Sequence, residues 1–91
     1  MKYRLSEKIK YYEKRANDPR LTETQRDYAK GFVFVTKNHK QFIKDSTPDF
    51  LSDCEDLQRI EINRTPKNAQ QSGAKQGFLA MFNTIIHKTR D

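Results

Sequence analysis

The segment from Thr22 to Asp45 constrains the fold most strongly, because at helical spacing its residues separate into two opposed stripes. On a wheel of about 3.6 residues per turn, one side is mainly apolar and the other is cationic. The first stripe contains Tyr28, Phe32, Val35, His39, Phe42 and Ile43. The second stripe contains Arg26, Lys30, Lys37, Lys40 and Lys44. This pattern predicts a long or kinked helix with one side toward a core and the other toward water or anions.

A strand is the alternative for part of this segment. Residues 32–36 follow a glycine and form the β-branched and aromatic run typical of a short strand. Residues 59–63 alternate around two isoleucines and are a second candidate. Their pairing would give a winged-helix-like α+β fold with a two-stranded ribbon. We favour the helix, because an isolated ribbon is marginal unless helices pack on it; Val33 and Phe34 then lie beside the lysines.

Start and stop signals predict the remaining helices. Residues 6–17 repeat apolar side chains on one helical face. Thr22 and Gln25 have the capping-box spacing at the start of the segment described above. Thr-Pro pairs at 47–48 and 65–66 are typical helix starts, since threonine caps and proline is harmless at the first helical position. The predicted fold is therefore mainly α, a small bundle of about four helices.

The last two helices carry more specific predictions. The apolar face of the third is predicted to consist of Phe50 or Leu51, Cys54 and Leu57. In the fourth, small residues recur every four positions up to Gly77, which favours close approach by another helix. The polar segment 63–73 is either a linker or a helix start, and a shorter helix could begin near Ser72.

Size and charge limit the class of protein. Ninety-one residues are expected to form one small domain over 1–91, and ten aromatic residues argue against full disorder. A net charge of +6 favours polyanionic partners. No apolar run approaches the roughly 20 residues of a membrane span, and the N-terminus lacks an apolar signal region, so we expect a cytoplasmic protein with no membrane partner.

Catalysis is not expected from this sequence. It has no phosphate-binding glycine loop, no motif-spaced nucleophile and no histidine pair at metal-ligand spacing. A divalent cation could use the carboxylates of Asp49, Asp53, Glu55 and Asp56, but a solvated acidic helix surface is the better interpretation. His39 is expected to be a half-buried histidine and Cys54 a small core residue. We therefore predict no cofactor and no metal.

Binding to double-stranded DNA is the leading hypothesis. Under this hypothesis the chain is a small non-catalytic accessory or regulatory protein. Residues 22–37 are the best candidate to lie in or against a groove of the duplex. Tyr11 lies among cations in the first helix, which suits a base packing on the ring while phosphates are neutralised, although a solvated helix face with a half-buried tyrosine is the more common interpretation. The predicted phosphate-binding residues are Lys8, Lys14, Arg15, Arg26, Lys30, Lys37 and Lys44.

The charge distribution supports an alternative hypothesis. Residues 46–63 carry one cation and five anions, whereas every other segment is net basic. The acidic helix expected at 48–58, together with Val33 and Phe34, could bind a protein partner. The chain would then be an adaptor or inhibitor of a nucleic-acid enzyme, of phage or mobile-element type. A homodimer is expected under the leading hypothesis, and membrane-surface binding by the first helix is the weakest alternative.

Overall fold

The computed structural model describes residues 5–37 and 48–90, with side chains described for 5–37 and 52–87. In these two ranges the chain forms four helices and no strand: α1 (Leu5–Ala16), α2 (Glu23–Thr36), α3 (Pro48–Ile62) and α4 (Ala69–Arg90). The predicted helical bundle is confirmed. The alternative ribbon is wrong, because residues 32–36 complete α2 and residues 59–62 complete α3.

Helix α2 begins as predicted with a capping box. The Gln25 backbone N–H donates to the Thr22 hydroxyl oxygen at 3.2 Å, and the Thr22 N–H donates to the Gln25 side-chain carbonyl at 3.0 Å. These bonds satisfy two backbone donors that the first turn of a helix leaves without partners. The later part of the predicted helix, with His39, Lys40, Phe42, Ile43 and Lys44, lies outside the described residues.

Helix α4 begins later than the Thr65-Pro66 signal predicts. The Asn68 side chain accepts a hydrogen bond from the Gln71 N–H at 2.8 Å, so Asn68 caps the helix. The Lys67 N–H in turn donates to the Gln71 side chain at 2.9 Å. Both predicted starts, Thr65-Pro66 and Ser72, are therefore wrong. Of the polar segment 63–73, residues 63–68 form the connection and residues 69–73 belong to α4.

Lysine 75 holds the connection between α3 and α4 in place. Its ammonium group donates to the backbone carbonyls of Ile62 at 3.1 Å and Arg64 at 2.8 Å. A cation is favourable there, because the last carbonyls of a helix lack backbone partners and carry partial negative charge. Lys75 thus acts as a side-chain cap for the end of α3.

Three glycines allow α2 and α4 to approach within backbone contact. A β-carbon on Gly31 would lie 2.9 Å from the Ala74 nitrogen and collide with the Gln70 carbonyl. One on Gly73 would collide with the Tyr28 carbonyl. One on Gly77 would lie 3.0 Å from the Phe32 carbonyl oxygen. The predicted close approach by another helix is therefore confirmed, and this glycine seam is the most extensive helix contact between described elements.

Helices α1 and α3 pack on this central pair. Tyr12 brings α1 against α2, with its ring centroid 4.4 Å from that of Phe32. Cys54 brings α3 into the same core, whose other buried members come largely from α4. The core residues are Leu5, Ile9, Phe32, Cys54, Met81, Phe82, Ile85 and Ile86.

The buried face of α3 differs from the predicted one. Cys54 is fully buried as predicted, but Leu57 is 42% exposed, whereas Glu61 is only 7% exposed. Residues 54, 58 and 61 follow the i, i+4, i+7 spacing of one helical face, and position 57 lies at the edge of that face. Burial of the Glu61 carboxylate is tolerated because it accepts a hydrogen bond from the Arg64 guanidinium at 3.1 Å. The side chains of Phe50 and Leu51 lie outside the described ones.

Replacement of Gly73 by alanine should destabilise the protein. The added methyl group would force the α2 and α4 backbones apart, at a cost of about 2 kcal/mol in free energy of unfolding. For a domain of this size, that corresponds to a melting temperature lower by roughly 8–16 °C, measurable by circular dichroism. Gln76→Ala, at an exposed position of the same helix, should change the stability by less than about 0.5 kcal/mol. Stabilisation by Gly73→Ala, the usual result at an unconstrained helical glycine, would contradict the close approach.

Candidate nucleic-acid interface

Three predicted phosphate-binding residues form a basic stripe along α2, consisting of Arg26, Lys30 and Lys37. Tyr28 and Gly31 face α4, and the helical period of about 100° per residue places the basic stripe on the opposite side of α2. Lys30 and Lys37 are exposed and Arg26 is half-buried. At a rise of about 1.5 Å per residue, the stripe is roughly 16 Å long.

No described residue neutralises the basic stripe through an ion pair. Within residues 5–37 and 52–87, the ion pairs join Arg20 to Asp18, Arg59 to Asp56, and Arg64 to Glu61. None of them involves a residue of the stripe. Two acidic residues, Glu23 and Asp27, lie next to the stripe on the same helix and reduce its field. The stripe is therefore open to anions, but its net charge is moderate.

Arg20, in the turn between α1 and α2, differs from the basic stripe because an acidic residue neutralises its charge. Its backbone N–H and its guanidinium both donate to the Asp18 carboxylate, at 3.0 to 3.1 Å. These hydrogen bonds lower the pKa of Asp18 below its usual value. The charge of Arg20 is thus paired within the turn, whereas the cations of the basic stripe form no ion pair among the described residues.

The predicted phosphate-binding cations of α1 lie on two sides of the helix. Lys8 and Arg15 are seven residues apart and share one edge, which contributes to clefts between α1 and α4. The helical period of about 100° per residue places Lys14 on the outward side of the helix, away from this edge. The predicted site residues therefore do not form one continuous surface among the described residues: Lys8 and Arg15 are separate from the basic stripe, and Lys44 lies outside the described residues.

A tyrosine cluster, formed by Tyr11, Tyr12 and Tyr28, lies between Lys8 and Arg15. The rings of Tyr11 and Tyr12 meet edge to face with centroids 5.1 Å apart, and the Tyr12 and Tyr28 centroids are 5.9 Å apart. The Arg15 guanidinium carbon lies 5.4 Å from the Tyr11 ring centroid, a cation–π distance. Burial raises the pKa of Tyr28, and the neighbouring Tyr12 raises it further.

The tyrosine cluster separates two open clefts. The larger, of about 700 Å³, is bounded by α1 on one side and by α3 and α4 on the other. The smaller, of about 650 Å³, lies over the start of α2 and contains Arg15. The sequence indicated Tyr11 and its cations but not the carboxamides of the larger cleft, because Gln58 on α3 and Gln76 and Asn83 on α4 reach the same cleft only through the packing of these helices. All three lack hydrogen-bond partners among the described residues.

The described residues do not assemble a metal site. No group of three histidine, cysteine or acidic side chains converges within the described ranges. Asp56 pairs instead with Arg59, and the side chain of Asp49 lies outside the described ones. His39 also lies outside the described residues, so its predicted environment stays a prediction.

Comparisons with known proteins add no functional information. No protein family, no curated protein and no solved structure matches this chain. Over the residues that the structure describes, no helix has both the length and the apolarity needed to cross a bilayer.

Cys54 should react slowly with thiol reagents in the folded protein. Its side chain is fully buried, as predicted. Burial is the main cause that raises the pKa of the thiol, and the negative charge of the nearby Asp53 raises it further. A raised pKa leaves less thiolate at a given pH, and the thiolate is the reactive form. At about pH 8, the rate with a disulfide reagent such as DTNB should be at least tenfold lower than in denaturant. Equal rates in the folded and unfolded states would show that Cys54 is accessible.

Proposed function

We propose that this protein is a small DNA-binding accessory or regulatory protein that contacts the phosphate backbone without catalysing a reaction. The observation that carries the proposal is the basic stripe on the outer side of α2, where Arg26, Lys30 and Lys37 form no ion pair with any described residue. The predicted residues Lys14 and Lys44 would extend contacts on the same target. Lys8 and Arg15 belong to the clefts and are expected to contribute less to duplex binding.

The dimensions of α2 suit a duplex. An α-helix with side chains is about 10–12 Å wide, and the major groove of B-DNA is about 12 Å wide. A row of cations along one edge of a helix can follow the phosphates of one strand, since the stripe is roughly 16 Å long and phosphates recur about every 3.4 Å of axis on each strand. Such contacts fix position on DNA but do not read its sequence. A homodimer would double the number of phosphate contacts.

Duplex affinity should depend strongly on salt, and the dependence should weaken when the stripe is neutralised. Each phosphate contact contributes about 0.9 to the slope of log affinity against log salt concentration. The double variant Lys30→Gln/Lys37→Gln should therefore lower the slope by about 1.8. The measurement is fluorescence anisotropy with a labelled duplex between about 50 and 200 mM salt.

A matched control removes the same charge elsewhere. Arg59→Gln/Lys67→Gln also lowers the net charge by two, but Arg59 pairs with Asp56 on α3 and Lys67 lies in the connection to α4. This control should bind the duplex with an unchanged slope. Equal slopes for the two double variants would mean that the basic stripe does not contact phosphates, and binding would then reflect net charge alone.

An adaptor that binds another protein is the second candidate function. It is supported by the outer surface of α3, where Leu57 is 42% exposed and Ile60 is 58% exposed, with exposed Asp53 and Asp56 nearby. Phe34 is 76% exposed beside the basic stripe. Exposed apolar side chains rimmed by charges are typical of protein-binding surfaces. Duplex affinity that is weak and lost at modest salt would favour this function over DNA binding.

A further inference from the structure

We propose that the tyrosine cluster and the two clefts beside it bind a short stretch of single-stranded nucleic acid. Bases would stack on the tyrosine rings, and the phosphates would contact Lys8 and Arg15. This adds a second binding mode to the proposed function, but it depends on different residues, so either can fail without the other.

The exposed ring of Tyr11 provides an aromatic surface on which a base can stack. Tyr11 is 54% exposed, although most large apolar or aromatic side chains among the described residues are partly or fully buried. Its position is fixed by the edge-to-face contact with Tyr12 and by Arg15 near its ring. A ring that is both exposed and held in place can stack on a base with little loss of side-chain entropy.

Lys8 and Arg15 are spaced so that one cation lies in each cleft. Lys8 contributes to the larger cleft and Arg15 to the smaller one, and the tyrosine cluster is shared by both. Seven residues of helix separate the two cations by about 10 Å along α1. Neither has an ion-pair partner among the described residues, although Glu7 also contributes to the larger cleft and opposes an anion there. The cations therefore flank the rings, as required for one strand that crosses both clefts.

The larger cleft contains three side-chain carboxamides that are available for hydrogen bonds with a base. Gln58, Gln76 and Asn83 each offer both a donor and an acceptor, and none has a hydrogen-bond partner among the described residues. The edges of unpaired bases present the same combination of donors and acceptors. The cleft volume of about 700 Å³ lies within the range usual for ligand sites. Paired bases cannot stack on side chains in this way, so the proposal commits to an unpaired strand.

The test compares variants of the full chain by anisotropy with a labelled oligothymidylate. Tyr11→Ala should weaken its binding roughly tenfold, whereas Tyr11→Phe should retain it, since stacking needs the ring and not the hydroxyl. Phe34→Ala is the matched control, because it removes an even more exposed aromatic ring from α2, away from the clefts. It should leave the affinity within twofold. Equal losses for Tyr11→Ala and Phe34→Ala would overturn the proposal.

Three further arms make the outcome specific. Lys8→Gln, at an exposed position that should not disturb folding, should lower the salt slope for the single strand by about 0.7. An abasic oligonucleotide of equal charge should bind at least fivefold more weakly than oligothymidylate, since base stacking would be lost. Equal affinity for the two, or full displacement by an equimolar amount of thymidine monophosphate, would overturn the single-strand site. Duplex affinity should be unchanged by Tyr11→Ala, which separates this result from a failure of the proposed function.

Discussion

The backbone contact between α2 and α4 is the constraint on which the rest of the structure depends. Gly31, Gly73 and Gly77 remove the side chains that would keep the two helices apart, so carbonyl groups of one helix lie where β-carbons of the other would otherwise be. Interiors are close-packed, and such a contact leaves little freedom for rotation of either helix about its axis. The direction in which every other side chain of α2 points is therefore fixed. Lys30 and Lys37 are exposed and Arg26 is half-buried on the outer side of α2, because the opposite side is committed to α4.

The cations of this chain have different electrostatic environments, although all contribute equally to its net charge. Lys75 binds two backbone carbonyls at the end of α3, and Arg20 and Arg64 bind carboxylates near them in sequence. Other cations, such as Lys30 and Lys37, form no ion pair within residues 5–37 and 52–87. A net charge of +6 is thus a poor measure of how much positive surface a ligand would meet. Within the described residues, the cations on α2 and beside the tyrosine cluster form no ion pair, so their charge stays available to an anionic ligand.

Local signals in the sequence predicted much of the fold. The capping box at Thr22 and Gln25 forms as its spacing indicates, and the small residues around Gly73 mark a real helix contact. Prediction failed where tertiary contacts outweigh local signals. Thr65-Pro66 resembles a helix start, but Asn68 caps α4 three residues later, and the rotation of α3 exposes Leu57 while burying Glu61 with its partner Arg64. The larger cleft could not be predicted, because its walls come from four helices whose relative positions are not encoded in any local pattern.

The tyrosine cluster also determines where the intrinsic fluorescence of this protein comes from. The chain contains four tyrosines and no tryptophan, and Tyr11, Tyr12 and Tyr28 meet at one place in the fold. Ultraviolet emission of the unlabelled protein therefore originates mostly from a single region, without the usual background from indole. Changes in intensity or lifetime would report the local environment between α1 and α2, which gives this small domain an intrinsic optical probe at that surface.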